Sequence, residues 1–136
     1  MKFSPCGDLL ALSTIEGFLD IYNTSSYVKK YTLRGNGESI LLFDWSEDSK
    51  FIAANMENKD IIYFNLENGL KVSNLDLIKN INWSSNSRIY SYETQGIFCN
   101  EDYENKPVVC DVFNSEMKGE TIMAAGYEKG DMKIFK

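Results

Sequence analysis

The sequence repeats itself after 42 residues, and this repeat restricts the fold more than any other feature. Residues 3–12 are matched by residues 45–54, and residues 18–23 are matched by residues 60–65. A third, looser copy runs from Phe113 to Phe135, in which Ala124-Ala125 lies 71 residues after Ala53-Ala54. A chain with such a period builds its fold from similar units that stack against one another.

Each copy is predicted to consist of short β-strands separated by polar turns. In the second copy the strands are predicted at 39–45, 51–56, 61–66 and 70–75, and in the first copy strands three and four are predicted at 18–23 and 27–33. β-branched and aromatic residues dominate these runs, and helical spacing is not sustained anywhere. Asn68-Gly69 predicts a tight hairpin turn, because this pair readily supplies the positive φ angles that such a turn needs.

Four short strands in every 42 residues is the period of a propeller blade. A single blade cannot bury both of its faces by itself, but stacking against a neighbouring blade on each side buries them. The predicted fold is therefore all-β, a β-propeller fragment of about three four-stranded blades that is not a closed ring. The alternative is a generic β-sandwich with coincidental similarity between the copies. It is disfavoured because the polar turn and the third-strand pattern both recur at the same offset.

The predicted organisation has four segments. Residues 1–38 form an N-terminally truncated blade, residues 39–76 a full blade, residues 77–107 an irregular insert or incomplete blade, and residues 108–136 a partial blade. We expect further blades of a longer parent chain. Alone, such a piece exposes apolar blade faces, so we expect it to be marginally stable or self-associating.

The repeats resemble those of WD-repeat proteins. The Trp-Asp pair that ends strand three in that family is replaced by Tyr22-Asn23, Phe64-Asn65 and Phe135-Lys136, so the aromatic residue is kept and the Asp is not. The Gly-His pair before strand one is replaced by Gly35-Asn36. The hydrogen-bonded network that locks many such blades cannot form in its usual version.

The order of blade, insert and blade resembles the echinoderm microtubule-associated protein-like (EMAP-like) family. The resemblance lies in residues 42–52 and 61–66, in the irregular segments 78–84 and 95–98, and in residues 108–111 and 124–135. It implies a non-catalytic scaffold, part of a tandem propeller that binds tubulin, microtubules or microtubule-associated partners and is cytoplasmic and cytoskeletal. A WD-repeat scaffold for an unrelated assembly is the alternative.

Composition excludes several other functions. The sequence has no histidine, which removes His-based triads and His-ligated metal sites. Its net charge of −6 disfavours binding to a nucleic-acid backbone, and no apolar run approaches the roughly 20 residues that span a bilayer. Phosphate-binding and nucleophile motifs are missing as well. We therefore expect no enzyme activity, catalytic residue, metal or cofactor, and neither a nucleic-acid nor a membrane partner.

Three residues are candidates for partner binding, namely the basic cluster Lys29, Lys30 and Arg34. The alternative interpretation is an exposed fourth strand on which Lys discourages edge pairing. The acidic stretch 93–116 is interpreted as a solvated loop rather than an ion or partner site. Cys6, Cys99 and Cys110 form an odd set without a C-x-x-C pair, which favours buried free thiols.

Overall fold

Three antiparallel sheets make up the described part of the chain. The computed structural model describes residues 1–85, 107–115 and 120–135, with side chains given for 1–85, 107–111 and 122–135. The first sheet contains β1 (Lys2–Phe3), β2 (Leu9–Ser13), β3 (Phe18–Asn23) and β4 (Lys29–Arg34), in that spatial order. The second contains β5 (Ile40–Trp45), β6 (Phe51–Met56), β7 (Ile61–Asn65) and β8 (Leu70–Lys71), again in chain order.

The third sheet belongs to a separate compact unit. Residues 1–85 form one unit, which contains the first two sheets, and residues 86–136 form the other. The third sheet has the order β11-β10-β9, where β9 is Pro107–Ser115, β10 is Glu120–Tyr127 and β11 is Met132–Phe135. All three sheets therefore have sequential up-and-down order, which confirms the predicted all-β blade architecture.

The core of the first unit lies between its two sheets. One face of the first sheet contributes the fully buried side chains Ala11, Leu19, Ile21 and Leu33. The facing side of the second sheet contributes Phe43, Trp45, Ile52, Ala54, Met56 and Phe64. Burying a large apolar side chain is worth about 1.5–3 kcal/mol, so this contact is the main source of stability in the unit. The indole Nε1 of Trp45 also donates to the Lys2 carbonyl at 3.2 Å and so joins the two sheets directly.

The opposite face of the second sheet is covered by the segment that follows β8. Ile78 is buried against Ala53 and Tyr63, and the Trp83 ring lies 5.9 Å from the Tyr63 ring. This segment contains a 3-10 helix at Leu75–Leu77. The predicted strand 70–75 is therefore wrong beyond Lys71, because the chain leaves the ladder there to cover the face of its own sheet.

The polar turn that recurs in the sequence has the same structure in both sheets. The hydroxyl of Ser4 accepts a hydrogen bond from the Leu9 N–H at 3.0 Å, and that of Ser46 accepts one from the Phe51 N–H at 2.8 Å. Both serines are buried. Because water cannot reach the backbone N–H groups there, the serine hydroxyls act as their hydrogen-bond acceptors. The repeat thus preserves the serine because it satisfies a backbone amide.

The hairpin between β7 and β8 differs from the predicted tight turn. Only Gly69, with φ of 73°, has a positive φ; Asn68 does not. The loop closes through a hydrogen bond from the Gly69 N–H to the Asn65 carbonyl at 2.9 Å. A Cβ at position 69 would lie 2.8 Å from the Tyr31 ring, so glycine is required there by close contact as well as by its backbone angle.

Candidate interaction surface

The three predicted partner-binding residues all lie on β4, the outer strand of the first sheet. Lys29, Lys30 and Arg34 are exposed, and each cation lies over an aromatic ring. The distances to the ring centres are 5.7 Å for Lys29 over Tyr22, 5.2 Å for Lys30 over Tyr31 and 5.3 Å for Arg34 over Phe18. Such contacts orient the side chains but leave the charged groups open to solvent. We call this row the basic strip.

Within the basic strip, Lys29 is partly neutralised by its own sheet. Its Nζ donates to Asp20 Oδ2 at 2.9 Å, and Thr32 Oγ1 donates to Asp20 Oδ1 at 2.6 Å. Burial raises the pKa of Asp20, but the hydrogen bonds from Lys29 and Thr32 outweigh it, and the net pKa is lowered. The Asp20 hydrogen bond in turn raises the pKa of Lys29. Lys30 and Arg34 form no such ion pair in the described part of the chain and are the stronger candidates for meeting an acidic partner.

A polar cluster around the buried Asp44 carboxylate joins β1 of the first sheet to β5 of the second. The Asp44 carboxylate on β5 is fully buried and accepts hydrogen bonds from Lys2 Nζ on β1 and from the Ser85 hydroxyl. Lys2 Nζ also donates to the Ser85 hydroxyl at 3.2 Å. These contacts link the first sheet, the second sheet and the segment that ends at Ser85.

Within residues 1–85, no segment covers the face of the first sheet that points away from the second sheet. It carries an apolar groove lined by Phe3, Leu10, Leu12, Tyr22, Asn23, Thr24 and Tyr27. Phe3 is 64% exposed and Tyr27 is 84% exposed. No motif in the sequence predicts this groove, but the 42-residue offset indicates it, because Phe3 and Leu10 correspond to the buried residues Trp45 and Ile52.

The cysteines are partly as predicted. Neither Cys6 nor Cys110 forms a disulfide within the described residues; Cys110 is buried as predicted, but Cys6 is exposed, so the prediction of burial is wrong for Cys6. It lies in the turn between β1 and β2, and its backbone N–H donates to the Ser49 hydroxyl at 3.2 Å. Hydrogen bonds with the Ser4 and Ser49 hydroxyls lower the pKa of its thiol. Cys99 and most of the acidic stretch 93–116 lie outside the described residues.

The described ranges contain neither a cluster of metal-ligating side chains nor a membrane-spanning helix. No group of three or more Cys, Asp or Glu side chains that could hold a metal ion occurs there. None of the helical segments in the described ranges is long and apolar enough to cross a membrane.

Comparison with known proteins identifies the repeat. The model of the anaphase-promoting complex subunit 4 WD40 domain matches residues 1–86, which is more than half of the chain. The chain belongs to this WD40 domain family. Its fold is also similar to the crystal structure of the Myceliophteria thermophila Cps50 (Swd1) β-propeller domain, with a TM-score of 0.50 and 22% identity over 52% of this chain and 22% of that chain. The predicted WD-repeat propeller fold is thus confirmed.

Curated relatives confirm the more specific resemblance. Echinoderm microtubule-associated protein-like 4 of Xenopus laevis is 29% identical over 103 residues, which is 72% of this chain and 11% of that protein. The human protein of the same name is 28% identical over 72% of this chain and 10% of its own length. A ciliary WD repeat-containing protein, ctxp80 of Euplotoides octocarinatus, is 28% identical over 72% of this chain and 14% of its own length. The chain therefore spans about a tenth of the length of the relatives that it matches.

Proposed function

We propose that the chain is a non-catalytic interaction module that associates with tubulin, microtubules or microtubule-associated proteins, in the cytoplasm at the cytoskeleton. The observation that carries this proposal is the similarity to EMAP-like 4 proteins over 72% of the chain. The ciliary relative supports the same class of partner. The alternative, a WD40 scaffold for an unrelated assembly, is supported by the family match, which is named after a subunit of a different complex.

The basic strip is the proposed point of contact. Tubulin is acidic, and this chain has a net charge of −6, so long-range attraction does not favour the complex. A local contact must therefore supply the electrostatic complementarity, and the exposed charges of Lys30 and Arg34 are placed to do so. Because Lys29 is held by Asp20, its contribution to binding is expected to be smaller.

Co-sedimentation with stabilised microtubules tests this proposal. We expect the wild-type chain to pellet above an albumin control. We expect Lys30→Glu combined with Arg34→Glu to reduce binding at least about threefold, since each lost charge contact is worth at least a few tenths of a kcal/mol. The control combines Lys50→Glu with Lys79→Glu, which changes the net charge by the same amount away from the basic strip. Equal loss with both pairs would contradict a contact at the strip. Binding no higher than that of albumin would contradict the microtubule proposal and favour the alternative.

A further inference from the structure

The chain contains two Asn-Gly pairs, Asn36-Gly37 and Asn68-Gly69, and the fold holds them differently. Such a pair is chemically reactive, because the glycine nitrogen can attack the side-chain amide carbon of the asparagine, and glycine has no side chain to obstruct the approach. The glycine N–H proton passes through solvent to the side-chain nitrogen, which leaves as ammonia, and a cyclic succinimide remains. Water then opens this ring at either carbonyl, and the product is aspartate or isoaspartate.

The pair Asn68-Gly69 is held in a turn. The Gly69 N–H donates to the Asn65 carbonyl at 2.9 Å, and this bond closes the hairpin between β7 and β8. Asn68 Oδ1 also accepts a hydrogen bond from the Leu70 N–H at 3.0 Å. Before the Gly69 nitrogen can attack, its hydrogen bond in the turn must break, so the reaction at Asn68 requires local opening of the hairpin.

The pair Asn36-Gly37 lies in the loop that joins β4 to β5, where no such bond holds the glycine nitrogen. Both residues are exposed, and the Gly37 N–H makes no hydrogen bond to any residue in the described part of the chain. A Cβ built onto Gly37 would meet no atom within 4 Å, so there is open space around the reacting groups. The nitrogen of Gly37 can therefore attack without prior opening of the fold.

We propose that Asn36 is a site of spontaneous deamidation, and that the product loosens the loop between the first and second sheets. The inference is independent of the proposed microtubule association. Asn36 Nδ2 donates to Asp60 Oδ2 at 2.7 Å, and this bond ties the loop to the turn between β6 and β7. Deamidation replaces the donating nitrogen by a carboxylate oxygen, so the hydrogen bond is lost and two negative charges face each other. Isoaspartate also lengthens the main chain, since the peptide bond then runs through the side-chain carboxyl.

Incubation of the full chain at neutral pH in heavy-oxygen water, followed by tryptic digestion and mass spectrometry, measures both sites in one sample. Cleavage after Lys and Arg places Asn36 in peptide 35–50 and Asn68 in peptide 60–71. Ring opening incorporates a heavy oxygen atom, which marks deamidation that occurs during the incubation. We expect Asn36 to react at least about fivefold faster than Asn68, the ratio that corresponds to a net hydrogen-bond contribution of about 1 kcal/mol. Equal rates in the folded chain would overturn the proposal.

The same incubation in urea that unfolds the chain is the matched control. Without the fold, the two sites share the reactive Asn-Gly sequence and neither glycine nitrogen is held in a turn, so their rates should agree within about twofold. If Asn36 is faster than Asn68 by the same factor in the folded and the unfolded chain, the difference comes from neighbouring residues rather than from the loop, and the proposal is wrong.

Asn36→Asp reproduces the charge of the product and tests its effect on the loop. We expect this variant to lower the melting temperature by about 2 °C or more, and the added change Asp60→Asn to restore most of the loss, since an amide again donates to a carboxylate. Asn68→Asp is the matched control, because Asn68 Nδ2 donates no hydrogen bond in the described ranges, and it should shift the melting temperature by less than about 1 °C. Equal shifts for the two Asp variants, or a loss that Asp60→Asn does not relieve, would contradict the loosening of the loop.

Discussion

Removal of the Ser46 hydroxyl tests how the repeated turn supports each blade, and the chain contains its own comparison. In Ser46→Ala, the Phe51 N–H loses an acceptor at 2.8 Å, and Asp48 Oδ1 loses a donor at 2.6 Å. Stranding a buried amide costs about 1–3 kcal/mol, and a hydrogen bond to a charged group adds about 1.5 kcal/mol. We expect a loss of about 2.5–4.5 kcal/mol in the free energy of unfolding.

The counterpart Ser4→Ala should cost less. Its hydroxyl accepts from the Leu9 N–H at 3.0 Å, but its other neighbour is the Cys6 sulfur at 3.3 Å rather than a carboxylate. Sulfur forms weak hydrogen bonds, so the loss should be about 1–2 kcal/mol. The exposed Ser25→Ala serves as a control and should change stability by less than about 0.5 kcal/mol.

Urea denaturation followed by tryptophan fluorescence measures these differences. The expected order of destabilisation is Ser46→Ala, then Ser4→Ala, then Ser25→Ala. If Ser4→Ala proves as costly as Ser46→Ala, the reasoning from the carboxylate partner is refuted, and if neither differs from Ser25→Ala, the buried hydroxyls do not support the turns.

Three further predictions concern backbone angles and charge. Gly17→Ala should destabilise the chain by at least about 2 kcal/mol in urea denaturation, because φ is +77° and the new Cβ would lie 2.3 Å from the Glu38 carbonyl oxygen; a loss below 0.5 kcal/mol would contradict this geometry. Lys59→Gly should raise the free energy of unfolding by up to about 1 kcal/mol, since Lys59 has a φ of 70° where the first copy has Gly17; a lower melting temperature would contradict it. The lowered pKa of Asp20 stabilises the fold above the unfolded pKa of about 3.9, and this contribution is lost as pH falls through the lower folded pKa. The difference in unfolding free energy between wild type and Asp20→Asn should therefore be constant above about pH 5 and shrink towards pH 2, and a constant difference throughout would refute the assignment.

The strands were predictable where the repeat and the alternation of side chains agree. β3 and β6 have the predicted bounds, 18–23 and 51–56, and β7 ends one residue before the predicted limit. The predicted strand at 70–75 is longer than β8 because Val72 and Leu75 are apolar residues that suit a strand. After Lys71 the chain instead turns to cover Tyr63 and Ala53. Tertiary burial of the second sheet, which no local pattern encodes, decides that boundary. The blade boundaries at 38, 76 and 107 remain predictions.

The candidate surface was predictable only in part. The run of basic residues at Lys29 and Lys30 is visible in the sequence, but the Asp20 carboxylate that holds Lys29 lies nine residues away on the neighbouring strand. The contact between Lys2 and Asp44 spans 42 residues and depends on how two sheets meet, so sequence spacing alone does not indicate it. The partner-binding role of Lys29, Lys30 and Arg34 stays a prediction.

Methyl–aromatic nuclear Overhauser effects give the most direct test of the stacked-blade arrangement of residues 1–85. The account predicts cross-peaks that join the rings of Trp45 and Phe64 to the methyl groups of Leu19 and Ile21, together with protection of the Trp45 indole proton from exchange. Cross-peaks confined within each sheet, with a rapidly exchanging indole proton, would contradict the packing of the first sheet on the second.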